Sequence, residues 1–228
     1  MGWFTRSPQT RRERALRTCP QGPLREYLSV PFPEADTAVA DLALLAIDIE
    51  TTGLDPAKDH VLSVGFVPIN GRSIVLGGAR HHLIATEGQV GQSATVHGLT
   101  DDALTEGMPL VDAVAEVLRA MSGRVLLAHF ARIERDFLRI ACERAWGSAM
   151  PTVIVDTMEL HRRLLSRQWG AEIPDGGLRL WTARTRYGLP VYRAHEALTD
   201  ALACAELYLA QTAEIAAERT VTLGAISS

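Results

Sequence analysis

Asp48 and Glu50 stand two residues apart at the end of an apolar run, Leu42 to Asp55, which reads LALLAIDIETTGLD. A run this rich in Leu, Ala and Ile suits a strand buried on both faces, although periodicity alone does not exclude a helix. On a strand, positions i and i+2 share a face, so the two carboxylates point the same way. Adjacent buried carboxylates repel one another, and a divalent cation held by hard oxygen ligands relieves that repulsion. Taken alone, the pair is equally a solvated strand end with two unrelated acids. Thr51-Thr52-Gly53 then marks a tight exit turn.

Two further stretches carry chemistry. In LLAHFARIERDFL, Leu126 to Leu138, a buried strand ends at His129 and a helix starts at once. Its two acids, Glu134 and Asp136, lie roughly 200° apart on a helix, so they cannot both face one site. Glu134 shares a flank with Phe137, Leu138 and Ala141 and is the inward candidate. In HEALTD, His195 to Asp200, five residues of helix turn roughly 500°, which is not one face. His195 and Asp200 converge only if His195 precedes the regular helix, as a cap or loop residue. Such a perch suits a base that must approach and leave, although a histidine starting a surface helix is the plainer alternative. Asp200 sits among Leu198, Ala201, Ala203 and Cys204, which argues against casual solvation. All three stretches place an acid at a strand end or in the first turns of a helix, where open α/β sheets place their sites.

The elements that must position these residues follow from the remaining pattern. Residues 1–38 are rich in Arg and Pro: a basic N-terminal arm with one short helix near Gln9 to Arg17 and otherwise extended chain. It is either a solvated arm packed on the surface or a contact for nucleic acid or a partner. Residues 39–218 form the folded domain, and 219–228 a short tail. His60 to Ile69 is a second strand, and Asn70-Gly71 is a strong hairpin signal. Arg72 to Leu76 and His81 to Ala85 continue antiparallel, giving a three-strand meander. Leu110, Ala113, Val114, Val117 and Leu118 repeat at helical spacing over Pro109 to Met121, with Pro at the opening turn. Short strands at Arg124 to Ala128 and Val153 to Val155 alternate with helices at Ala131 to Trp146 and Thr157 to Leu165. A short helix at Leu178 to Tyr187 and a long Ala-rich helix from His195 to about Ala217 complete the chain. The expected fold is α/β, a mixed sheet flanked by helices.

Composition narrows the function classes. The chain has 228 residues, room for one large domain or two small ones, and one is favoured. A formal net charge of −4 argues against coating nucleic acid by bulk charge but leaves room for a local basic groove. Cys19, Cys142 and Cys204 are scattered with no CxxC, so reduced thiols in a cytoplasmic protein are expected and a zinc site is not. No stretch approaches the length of a membrane span, and MGWFTRSPQTRRER lacks the apolar core of a secretory signal.

The three stretches resemble the three motifs of the DEDDh branch of 3′→5′ exonucleases, in the ribonuclease H-like superfamily, which includes the proofreading epsilon subunit of bacterial DNA polymerase III. The motifs appear as DIETTGLD at Asp48 to Asp55, AHFARIERDFL at Ala128 to Leu138 and HEALTDA at His195 to Ala201. VHGLTDD at Val96 to Asp102, VDT at Val155 to Thr157 and YGLP at Tyr187 to Pro190 agree with it. The resemblance covers about Leu42 to Ala210, and its fold has a ribonuclease H-like sheet. Two positions depart. Phe130 stands where the family usually has Asn, and Glu134 where it usually has Asp.

The resemblance implies that Asp48, Glu50, Glu134 and Asp200 hold two Mg²⁺ or Mn²⁺ ions and that neutral His195 takes the proton from an attacking water. It places Thr51, Thr52 and Gly53 along the terminal nucleotide and Leu54 as an apolar wedge between the last two bases. His97, His129 and Ile133 fall at substrate-lining positions, with core packing the alternative for Leu54 and Ile133. The implied partner is a nucleic acid 3′ end, DNA favoured over RNA, and no membrane. RNA trimming and a catalytically impaired binding subunit are the alternatives. Polymerase association stays open, although no long tail after the last helix supports it.

Overall fold

The apolar run forms β1 (Ala43–Thr51), an inner strand of a six-stranded mixed sheet. The structure is a computed structural model that describes residues 7–85, 106–169, 173–217 and 220–227. β2 (Val61–Asn70) pairs antiparallel with β1 along its whole length, with Asp48 opposite Gly65 and Glu50 opposite Ser63. The register slips between Glu50 and Thr51, so the strand bulges where the motif leaves the sheet. On the other side of β1 lie β5 (Val125–Ala128) and then β6 (Ile154–Asp156), both parallel. The sheet is therefore the ribonuclease H-like mixed sheet.

The third strand of the meander is broken in two. β3 (Ser73–Ile74) and β4 (Arg80–Leu83) both pair with the same edge of β2, separated by a 3₁₀ turn at Leu76–Gly78. Pro68 explains the break. Its carbonyl faces this edge and accepts from Val75 N–H at 2.8 Å, so its missing N–H faces the same edge and no ladder can pass.

Seven of the helices pack on the two faces of the sheet or beside it: α1 (Pro8–Thr18), α2 (Pro23–Ser29), α3 (Leu110–Met121), α4 (Arg132–Trp146), α5 (Thr157–Trp169), α6 (Leu180–Arg186) and α7 (Ala197–Ala216). A last turn, α8 (Leu223–Ile226), follows. The alternation of β1 sorts two cores. Leu45, Ile47 and Ile49 pack with α2, α3 and α4, whereas Leu42, Leu44 and Ala46 pack with α5, α7 and α8. Asp48 and Glu50 continue the second set, so they emerge at the end of the face that α7 covers.

Residues 7–38 are not a solvated arm. Leu24, Tyr27, Leu28 and Phe32 are buried in the first core, and each large apolar side chain so buried contributes about 1.5–3 kcal/mol. The helix near Gln9 to Arg17 forms as α1, capped by Ser7, whose Oγ accepts from Thr10 N–H at 3.2 Å. α2 replaces the expected extended chain. The segment after α7 is likewise built in: Val221, Leu223 and Ile226 are buried, and Ser227 bridges to Val155.

Candidate active site

Four acids and a histidine meet where β1, β5 and the first turn of α7 end. Glu50 is 7% exposed, Glu134 3% and Asp200 9%. One ligand atom from each of Glu50, His195 and Asp200 lies within 4.8 Å of the others. Burial pushes the Asp48 carboxyl well above its usual range, and Glu134, Glu50 and Asp200 push it further, so Asp48 feels all three other acids. Burial, then Asp200, raises Glu50 to about 7. Burial also raises Glu134, to about 8, with Asp156 and Glu50 adding to the shift. Asp200 is raised by burial and partly relieved by the His195 amide. The metal-free protein thus keeps protons on carboxyls that a cation would displace.

The donor set fits a hard divalent cation. Glu134 Oε2 and Asp200 Oδ1 are buried and lack a hydrogen-bond partner. Buried polar oxygens without partners are rare and call for an explanation such as an ion. Carboxylate oxygens are the ligands that Mg²⁺ and Mn²⁺ prefer.

His195 stands outside the helix, as convergence with Asp200 requires. Its φ is 69°, a left-handed conformation rare for a residue with a Cβ, and its N–H donates to Asp200 Oδ2 at 3.1 Å. The segment leading to it is pinned to α7 by buried Arg184. The guanidinium donates to the Ala203 and Pro190 carbonyls at 2.5 and 2.8 Å and to Glu206 at 2.7 Å. It also lies 5.4 and 5.0 Å from the ring centroids of Trp181 and Tyr192.

Glu134 points into the site from the first turn of α4. Asp136, on the opposite side, is held at the surface by the Arg135 guanidinium at 2.9 Å. The start of α4 is set by Asp156, a residue that motif spacing did not single out as functional. Its carboxylate accepts from the Phe130 and Ala131 amides, both at 3.0 Å, and from the Met158 amide at 2.9 Å. One side chain thereby caps α5 and holds the turn before α4.

The expected substrate-lining residues separate into distinct roles. Thr51 Oγ1 donates to the Gly53 carbonyl at 2.6 Å, and Thr52 Oγ1 to Asp59 at 3.3 Å. Asp59 also accepts from the Asp55 amide at 2.8 Å, which fixes the loop that displays Leu54. Leu54 is 74% exposed, which rules out core packing for it. Ile133 and Leu54 line one small cleft with Phe130. His129 uses both ring nitrogens inside the protein. Nε2 meets the Leu178 carbonyl at 2.8 Å and must donate, so Nδ1 accepts from Thr157 Oγ1, also at 2.8 Å. Burial holds this imidazole neutral, near 4. His97 and the VHGLTDD stretch lie outside the described residues.

Gly65 is the other residue that motif reading passed over. A Cβ there would stand 2.1 Å from the Leu198 amide nitrogen. Only glycine lets the first turn of α7 settle on β2 directly across from Asp48. A lone glycine in the β-rich run HVLSVGFVPI was the available signal.

The exonuclease family model (RNase_T) matches residues 45–208, and the chain belongs to this family. It is 28% identical over 175 residues to a PolC-type DNA polymerase III of Thermotoga maritima, a match covering 76% of this chain and 12% of that protein. It is also 28% identical over 172 residues to the DNA polymerase III epsilon subunit of Treponema pallidum, covering 73% of this chain and 75% of that one. The chain thus spans about an eighth of the polymerase but most of the subunit. Among solved structures, Escherichia coli exonuclease I in complex with a dT13 oligonucleotide superposes with a TM-score of 0.61 at 17% identity, covering 74% of this chain and 40% of that one, a likeness of fold. Among the described residues, no helix is long and apolar enough to cross a membrane.

Proposed function

We propose that this exonuclease works from 3′ ends, hydrolyses the last phosphodiester of single-stranded DNA and releases nucleoside 5′-monophosphates with the help of divalent metal. The observation that carries the reading is the convergence of Asp48, Glu50, Glu134 and Asp200 around buried carboxylate oxygens that no protein group satisfies. These four residues would hold two Mg²⁺ or Mn²⁺ ions. Bound there, such ions supply an acidified water and charge stabilisation for the leaving 3′-oxygen.

The chain's own residues do the rest. His195 accepts the proton of the attacking water, and its left-handed backbone and the Asp200 bond to its amide aim it. The new bond forms from water oxygen to phosphorus as the P–O3′ bond breaks. Thr51, Thr52 and Gly53 form a stapled turn against the terminal nucleotide, and the exposed Leu54 side chain reaches between the last two bases. His129 positions rather than touches, since both its nitrogens are engaged.

The related epsilon subunit and the oligonucleotide-bound exonuclease I support a DNA end as substrate. The test is digestion of matched 5′-labelled DNA and RNA oligomers with Mg²⁺ or Mn²⁺ and with EDTA. The expected result is a DNA ladder that shortens from the 3′ end and stops in EDTA, with RNA slower. Internal cleavage, release from the 5′ end or EDTA-insensitive digestion overturns the reading.

A further inference from the structure

A groove of about 910 Å³ runs between α1 and α4 and along the loop from Gly147 to Ile154. Arg11 and Arg14 of α1 face Arg135 and Arg139 of α4 across it, and none of the residues lining it is acidic. In a chain of net charge −4, this is a local concentration of one sign. Neither Arg11 nor Arg14 has a carboxylate partner among the described residues. Arg135 and Arg139 do pair, with Asp136 and Glu143, both at 2.9 Å; the Arg139–Glu143 pair is solvent-exposed, whereas Asp136 is half-buried and takes Arg135 through two nitrogens. An exposed pair such as Arg139–Glu143 is worth about 0–1 kcal/mol, so a phosphate can compete for the Arg139 guanidinium.

The arginines sit on a rigid mount. Arg12 turns inward and donates to the Leu28 carbonyl, and Arg25 donates to the Leu16 and Cys19 carbonyls at 2.9 and 2.8 Å. α1 is therefore locked against α2, which is buried in the first core. Arg135 is one residue past Glu134 on α4 but roughly 100° round the helix from it, so the groove lies along the flank of α4 next to the face that carries Glu134. From there α4 runs roughly 20 Å to Trp146. The match to the exonuclease family begins at residue 45, so Arg11 and Arg14 belong to a part of the chain outside it.

We propose that the groove between α1 and α4 binds the phosphodiester backbone of the substrate strand, upstream of the nucleotide being removed. The occupant is a polyanion read by charge alone, since four guanidinium groups and no base-reading pocket line the track. The proposal rests on the 3′-exonuclease reading for its direction, and its test separates the two. Kd of a 3′-blocked deoxyribo-oligomer of about twenty nucleotides is measured against KCl concentration for wild type, Arg11→Gln/Arg14→Gln and Arg11→Lys/Arg14→Lys. Removing two phosphate contacts on a single strand should lower the slope of log K against log salt by about 1.4, and the lysine pair should restore it. Turnover of a dinucleotide, whose single phosphodiester lies in the active site and leaves none for the groove, should not change. Equal salt slopes for wild type and the glutamine pair, with both melting alike, overturn the proposal even if the enzyme digests DNA. A lowered slope in a protein that digests nothing upholds the groove and sinks the exonuclease reading alone.

Discussion

The first turn of α7 rests directly on the backbone of Gly65, with the Leu198 amide nitrogen 2.1 Å from where a Cβ would be. Because Gly65 is paired with Asp48 across the ladder, this contact sets how closely Asp200 approaches Asp48. Gly65→Ala must displace α7 or β2, since backbone cannot yield as a side chain tip does. Overpacking of this kind costs about 1–3 kcal/mol. The expected outcome is a folded protein with a lower Tm and a loss of activity on the order of a hundredfold or more, from misplacement of groups by about 1 Å. Activity close to wild type would show that the contact does not set the site.

Glu134 and Asp136 make a matched pair of controls. Glu134 is buried with a partnerless oxygen, and Asp136 is a surface acid held by arginine. Glu134→Gln should cost on the order of 10³-fold in rate. Asp136→Asn should change stability by about 0.5 kcal/mol or less and leave turnover nearly unchanged. The reverse pattern would mean that α4 presents a different face to the substrate.

Glu50 and Glu134 keep their protons to about 7 and about 8, against an ordinary value of 4.5 in the unfolded chain. Between those values the folded state binds more protons than the unfolded one, so stability falls as pH rises. In EDTA, Tm should therefore decline from about pH 5 to about pH 8, and Glu50→Gln should make the decline shallower. For Glu50 alone the effect is on the order of 3 kcal/mol. With Mn²⁺ the same protons are displaced, so the gain in Tm on adding metal should grow over this window. A Tm in EDTA that climbs over this window would contradict the charge arrangement.

Phe130 holds φ at 68° while its side chain stays 41% exposed. The left-handed backbone costs roughly 1–2 kcal/mol for a residue of this kind, and Asn tolerates it better. The Asp156 bonds to the Phe130 and Ala131 amides hold the strained turn. Phe130→Asn should raise the melting temperature by a few degrees, equivalent to about 1 kcal/mol. A fall in Tm would show that the ring's packing beside Leu54 and Ile133 outweighs the backbone strain.

Local pattern carried much of this molecule. The apolar run with acids two apart, the helical spacing over Pro109 to Met121 and the five-residue step from His195 to Asp200 are all properties of neighbouring residues, and each has its expected counterpart in the structure. What escaped was set by contacts between distant segments. Nothing near Gly65 says that residue 198 will lie on it. Pro68 splits the third strand by a missing donor on one edge, which shows only once the edge is known. The PLREYLS helix is seven residues between prolines, too short for periodicity to reveal, and its burial depends on α3 and α4. Arg184 reads as one more surface arginine until Trp181, Tyr192 and Glu206 close around it.

In the proposed mechanism Asp48 anchors the metal site at which 3′ ends are hydrolysed, and Asp48→Ala removes that anchor. The substitution removes the carboxylate that faces the other three acids and relieves their repulsion. In metal-free buffer the variant should melt at or above the wild-type temperature. Millimolar Mn²⁺ should stabilise the wild type by about 2.7 kcal/mol at a hundredfold excess over Kd and the variant by much less. Shortening of 5′-labelled single-stranded DNA from its 3′ end should vanish. A variant that keeps wild-type turnover with Mg²⁺, or the full Mn²⁺ stabilisation, would show that Asp48 anchors no catalytic metal.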